Sequence, residues 1–485
     1  MLQSHRGEKE GKDVMNDIHD SPKWKSAYSE NGVFSGDPRG VALSLCLDGL
    51  NPWSKNKATY SMWPIVLGVG KVLSLTGTGS YRACPWCMQK GQYCVHLKKV
   101  VYVENRRFLP KDNVLRKDCC QFPFKSEESR NRPPSRKFSQ DIEFHKAYDN
   151  GKNKFHKAKI ATGTGCREMY LFASKYPGFD QVEQSMPDTM HTVAVQAKHF
   201  VRCIAGKAPE DSLAVRMEEK SVGRFKESWP LSTAASSLPS APFVLTKNQM
   251  EEADRRAAEI RVPFGESFYP RPIFSRLSRM NSHELKEIAS RGILKYVVRG
   301  MFPEDQQQTL ICFVNTIAAI CALHQYISNI PCLREQVSVA LARLERDFHM
   351  SLQVVTNHLL HHLVDGIEKF GPVHSTWMFA FERFNSWLCR RALNRQHPES
   401  TILKTYQIFE WCRFIKSSGK LKNELLIKMS EEKSQLPLAS VAVPLQLSSD
   451  DLAQMKECYK SEVPEFQSLH SVMKCKETWP ANAGK

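Results

Sequence analysis

"LCLDGLNPWSKNKATYSMWP", residues 45–64, runs from an apolar stretch into one acidic residue, Asp48, and then into a turn rich in Asn, Pro and Lys. Just upstream, Val41-Ala-Leu-Ser-Leu-Cys-Leu47 is almost wholly apolar and lies between Gly40 and Asp48-Gly49. A run of this kind suits a strand covered on both faces, as in the centre of a mixed sheet. A second strand-like piece, Met62 to Leu67, follows closely. The carboxylate at the strand end stands alone, because no Asp or Glu occurs from Gly49 to Val103.

The chain has 485 residues, enough for about two to four domains, and 41% of them are hydrophobic, so ordinary cores can be buried. Lys and Arg outnumber Asp and Glu by 68 to 51, a net charge of +17. That balance favours polyanionic partners, nucleic acid first and an acidic membrane surface second. Fifteen cysteines, an odd number without a secretory signal at Met1, suit a reducing compartment in which some thiols bind metal. A nuclear or cytoplasmic protein is expected. The one membrane-like stretch, Thr309 to Leu333, has no formal charge but contains Asn315, His324, Gln325, Asn329 and Pro331, so it reads as buried core and no membrane partner is expected.

Residues 1–35 are polar without apolar periodicity and read as a loose leader. Residues 36–205 carry the strand-like pieces, a cysteine cluster at 84–96 and a basic excursion at 98–139. Within that excursion Lys98, Lys99, Arg106 and Arg107 are the candidate nucleic-acid contacts, with "SRNRPPSRK" in a Pro-containing loop behind them. Pro187 to Ala205 reads as one helix with Gly206 past its end. Residues 206–280, Ser-, Pro- and Ala-rich around "LSTAASSLPSAP", read as a linker or irregular region. Helical periodicity dominates 281–428, and 429–485 form a C-terminal tail without a recognisable site.

"CPWCMQKGQYCVH" supplies Cys84, Cys87, Cys94 and His96, spaced C-x2-C-x6-C-x-H. Two cysteines separated by two residues present both sulfurs to one ion, and tetrahedral zinc takes four N or S donors, so a structural zinc knuckle is expected; free thiols are the plainer alternative. Such a closed set fastens a fold and leaves no open position for catalysis. Two acids are also unusually placed. Asp188 and His191 lie three apart on one helix face, where Asp188 either complements the helix dipole or serves a site. Glu382 lies beside the apolar stripe Trp377, Phe381, Phe384 and Leu388 without a basic neighbour at helical spacing, so it is exposed, paired across the fold or kept for chemistry.

"GDPRGVALSLCLDGLNPWSKNKATYSMWPIVL" resembles the start of the catalytic domain of CACTA (En/Spm-type) DNA transposases. The resemblance continues through "GTGSYRACPWCMQKGQYCVHLKKVVYVENRRFLP", "MPDTMHTVAVQAKHFVRCIAGKAPED" and "FGPVHSTWMFAFERFNSWLCRRALNRQHPES", roughly residues 35–410. It implies an α/β RNase H-like core, here incomplete, with a zinc-knuckle insertion and a large, mainly α-helical region. It implies three acids holding two Mg²⁺ or Mn²⁺ ions for phosphoryl transfer on DNA at transposon ends. Asp48 matches the first acid, Glu382 in "FERF" the third, and Asp188 with His191 an Asp-x-x-His motif that accompanies them. The second acid has no counterpart: "WPIVL" runs directly into "GVGKVLSLTGTGSYRACPWC", as though an internal piece were deleted. The expectation is an animal-type, transposase-derived, nuclear DNA-binding protein, defective in DDE-type strand cleavage. An active transposase lacking an exon and a domesticated protein-interaction scaffold are the alternatives. A second copy of the chain, in a homo-oligomer, or a helper DNA-binding protein is a further candidate partner.

Overall fold

Helix-start chemistry in the second half of the chain is explicit. Thr246 with Gln249, and Asn281 with Glu284, form reciprocal capping boxes. Glu304 and Asp305 put negative charge into the first turn of the next long helix, and Pro331 opens the one after it. The structure, a computed structural model, describes residues 13–33, 35, 75–77, 79–94, 99–118, 131–169, 180–206, 243–262, 268–391 and 398–417.

In chain order these residues form β1 (Val14–Met15), α1 (Pro22–Tyr28), β2 (Gln92–Cys94), β3 (Lys99–Val101), α2 (Phe138–Asp149) and α3 (Lys154–Thr164). A π-helical turn, Met190–Ala194, then leads into α4 (Val195–Ile204). There follow α5 (Lys247–Glu259), α6 (Ser282–Ser290), α7 (Ile293–Val297), α8 (Glu304–Ile320), β4 (Gln325–Tyr326), α9 (Ile330–Asp347), α10 (Val355–Phe370) and α11 (Phe379–Cys389). All belong to one unit, Met1–Ala392; a second unit, Leu393–Lys485, contributes α12 (Pro398–Ser417).

The core of the first unit is helical. The apolar stripes of α4, α8, α9 and α10 meet around Phe200, whose ring lies 5.3 Å from Phe313 and 4.9 Å from Phe348. Thr309 to Leu333 spans most of α8, the turn with β4 and the start of α9. No helix among the described residues is long and apolar enough to cross a membrane. Both sheets are two-stranded and antiparallel, β1 with β4 and β2 with β3. The expected strands at Val41–Leu47 and Met62–Leu67 lie outside the described residues, as does Asp48.

Two expected boundaries are corrected. The supposed leader contributes β1 and α1: Met15 is buried in the core, Ser21 caps α1 by accepting from Trp24 N, and Pro22 opens that helix. The supposed linker contains Phe243, Leu245 and α5, all tied into the same core. The two-residue β1 has no periodicity to read and is regular only because β4 pairs with it.

A buried carboxyl holds the cysteine-bearing segment to this bundle. Glu345 on α9 accepts from Glu104 N (2.8 Å), Asn105 N (2.8 Å) and Asn105 Nδ2 (2.7 Å). Glu104 adopts φ +69°, the left-handed region that side chains disfavour, and these bonds keep it there. Burial pushes the Glu345 carboxyl up to about 7, against the lowering effect of its donors. A carboxyl raised in the folded state adds stability below its unfolded value, near 4.3, and loses it as pH rises towards 7. Wild type should therefore lose stability relative to Glu345→Gln between those pH values, read by thermal unfolding. Glu345→Ala should cost about 2–5 kcal/mol by orphaning two buried backbone donors.

Candidate metal centre

Residues 83–87, "ACPWC", form a turn fastened from outside by Arg136. The Arg136 backbone N–H donates to Trp86 O (2.9 Å) and its Nε to Cys84 O (2.7 Å). The same guanidinium donates to Asp141 Oδ1 (2.9 Å) on α2 and to Thr164 O (2.9 Å) at the end of α3. Trp86 N donates to Cys84 Sγ (3.4 Å), and the two sulfurs lie together at the turn. Opposite them, "HLLHH" on α10 places His358 and His362 four residues apart, on one helix face.

Cys84, Cys87, His358 and His362 are all buried, with one donor atom from each lying within 4.8 Å of the others. Cys87 Sγ is 3.3 Å from His358 Nε2 and 3.7 Å from Cys84 Sγ. Tyr102 stacks on His358 and Trp86 on His362, closing the group from water. His362 Nδ1 lies 3.2 Å from Asp365 Oδ2, and Asp365 Oδ1 accepts from Arg334 (3.1 Å). That leaves His362 Nε2 as the inward donor, a buried nitrogen without a hydrogen-bond partner.

Burial alone would raise the Cys84 thiol; the Cys87 thiol and the charges of His362 and His358 outweigh it and hold Cys84 well below its usual range. Cys87 moves the other way, pushed well up by burial and by Cys84. Burial would lower His362, but Cys84 and Asp365 bring it up to about 9. Two thiols, two imidazoles and a carboxylate behind one imidazole are the donor chemistry of a closed tetrahedral zinc site. These four residues could hold a structural zinc.

The group shares Cys84 and Cys87 with the set expected from spacing but takes its other donors from α10. Cys94 lies on β2 opposite Lys99 and is not among the four; His96 is outside the described residues. A pair of histidines four apart, with Asp365 three beyond, was the signal in the sequence, but nothing local connects it to Cys84.

The basic pair is also corrected. Arg106 and Arg107 are buried. Arg106 donates to the carbonyls of Arg116 and Asp118, while Arg107 donates to Asn131 O (2.5 Å) and pairs with Glu104 (3.3 Å). Both brace the 104–131 loop from within instead of facing phosphate. Lys99 is half-buried on β3, and Lys98 lies outside the described residues.

Asp188 has structural partners. Its Oδ2 accepts from His191 N (2.9 Å) and pairs with His191 Nδ1 (2.7 Å), closing the first turn of the π-helical segment. Its Oδ1 accepts from Met378 N (2.9 Å), at the start of α11. Glu382, half-buried, occupies the first turn of α11, so Asp188 and Glu382 serve the same helix end from positions far apart in sequence. Among the described residues, the Cys/His group is the one set of three or more donors close enough for a metal.

Residues 12–71 match the transposase family tnp2, and residues 320–420 match a domain of unknown function, DUF4218. These matches indicate a transposase-related family. Asp48 falls in the first match, His358 and His362 in the second, and Cys84 and Cys87 in neither. Searches of curated proteins and of solved structures found no match.

Purified protein is expected to carry one zinc per chain by elemental analysis. Cys87→Ser and His358→Ala should lose it, Cys94→Ser should keep it, and Asp365→Asn should weaken binding about 10- to 100-fold.

Proposed function

We propose that this chain is a transposase-derived DNA-binding protein of the CACTA type that acts in the nucleus and lacks effective strand cleavage. Support comes above all from the tnp2 match over residues 12–71, which contains Asp48, joined to a run without Asp or Glu that continues to Val103. Phosphoryl transfer by two hard cations needs several carboxylates on one site. With Asp48 as first acid and Glu382 as third, the run from Gly49 to Val103 offers no acid as the second. Such a site would hold Mg²⁺ or Mn²⁺ weakly. An RNase H-like core around residues 36–74 is part of this proposal.

Zinc at Cys84, Cys87, His358 and His362 would be structural. Four protein donors leave no open position, so the ion would fasten the 83–87 turn to α10 and take no part in bond breaking. The net charge of +17 supports DNA as the partner, through counterion release.

Gel shifts with the terminal repeats of a matching element should show binding that falls steeply with salt. Incubation with Mg²⁺ or Mn²⁺ should leave the strands intact. Nicking that disappears in Asp48→Ala would show a working acid set and overturn the proposed defect; the absence of any DNA binding would overturn the function itself.

A further inference from the structure

With Arg106 and Arg107 buried, the phosphate contact has to be sought elsewhere. A cavity of about 720 Å³ opens between Thr76, Gly79, Ser80 and Tyr81 on one side and the α2–α3 hairpin on the other, on the scale of a nucleotide-sized site. Lys152, Lys154, Lys157 and Arg167 line it. From Asn150 to Cys166 the chain contains no Asp or Glu, so no acid of this segment offsets those charges. Helix α3 buries none of its own residues, yet its C-terminal end is firmly placed. Gly165, at φ +81°, packs so closely on Arg82 O that a Cβ there would lie 2.2 Å from it, and Gly165 O accepts from Thr76 N (2.8 Å).

Thr76 stands in the wall of the same space, is 6% exposed, and its buried Oγ1 has no hydrogen-bond partner. A buried hydroxyl left unpaired is destabilising, and a phosphate oxygen is an acceptor that would satisfy it once the wall at Thr76 yields enough to admit one. Tyr81 and Tyr148 add aromatic faces to the wall.

We propose that this cavity is where the chain holds the phosphate backbone of DNA, the lysines and Arg167 providing counter-charge and Thr76 a hydroxyl donor. This rests on the DNA-binding function above and names its contact surface. Lysines act as point charges without the bidentate fork that reads base edges, so the contact is independent of sequence.

The test uses the full-length protein and a 30-base-pair duplex followed by fluorescence anisotropy over a KCl series. Lys152→Ala/Lys154→Ala/Arg167→Ala should lower the slope of log K against log salt by about 2–3, since each phosphate contact contributes about 0.9. A control with equal charge loss at exposed positions, Lys111→Ala/Lys247→Ala/Lys404→Ala, should leave the slope unchanged. Thr76→Val should weaken binding several-fold at constant slope. Matching unfolding temperatures establish that the variants fold. Wild-type binding whose slope survives the cavity triple would overturn the inference while leaving the DNA-binding function standing; a wild type that binds no DNA would overturn both. Displacement of the duplex only at millimolar inorganic phosphate or ATP supports a backbone site, whereas tight ATP binding that ignores the duplex would make it a mononucleotide pocket and overturn it.

Discussion

Cys87 Sγ and His358 Nε2 lie 3.3 Å apart although 271 residues separate them in the chain. Two thiols and two imidazoles buried at one point are unfavourable unless each finds a partner, and no single segment supplies all four. The supporting contacts are arranged around that requirement. Arg136 joins the cysteine turn to α2 and α3, Glu345 joins the loop after β3 to α9, and α10 is anchored by its apolar face in the bundle. Two regions that are separate in sequence, 75–118 and 268–370, thereby become one body.

The Cys/His group stands apart from Asp188 and Glu382, two of the acidic residues that the family resemblance singles out. The Cys/His group is closed and apolar around its donors, suited to fastening. Of the acids that the family resemblance selects, Asp48 lies outside the described residues, while Asp188 and Glu382 are not among the four donors. Asp188 closes one helix start and supports another, and Glu382 sits at that second start. A carboxylate engaged by two backbone N–H groups is held in place by them, which is the ordinary role of an acid at a helix N-terminus.

How much was legible depends on the range over which each residue acts. The helices after residue 281 could be read, because capping residues and 3.6-residue periodicity are local. Asn281 with Glu284, and Pro331 at the head of α9, carry their signal within one turn. The pair Cys84 and Cys87 was equally plain, since two residues of spacing suffice to bring two sulfurs together. The other two donors expected from spacing, Cys94 and His96, are near in sequence, whereas among the described residues His358 and His362 are the histidines that lie beside the cysteine pair in space. The short β1 was missed for the same reason: its two residues are a strand only because Tyr326 and Gln325 pair with them.

Arginines make the sharpest contrast. Composition established a basic chain, and that alone favours a polyanionic partner through long-range attraction that needs no particular geometry. It could not say which cations face solvent. Arg106, Arg107 and Arg136 are surrounded by carbonyls and carboxylates inside the fold, while Lys152, Lys154 and Arg167 remain exposed beside a cavity. Sequence by itself determined net charge, helix starts and the cysteine pair, because these follow from residue identity and local spacing. Tertiary structure alone decided which histidines face the cysteine pair and which cations are exposed, because burial and proximity depend on what distant segments bring against each side chain.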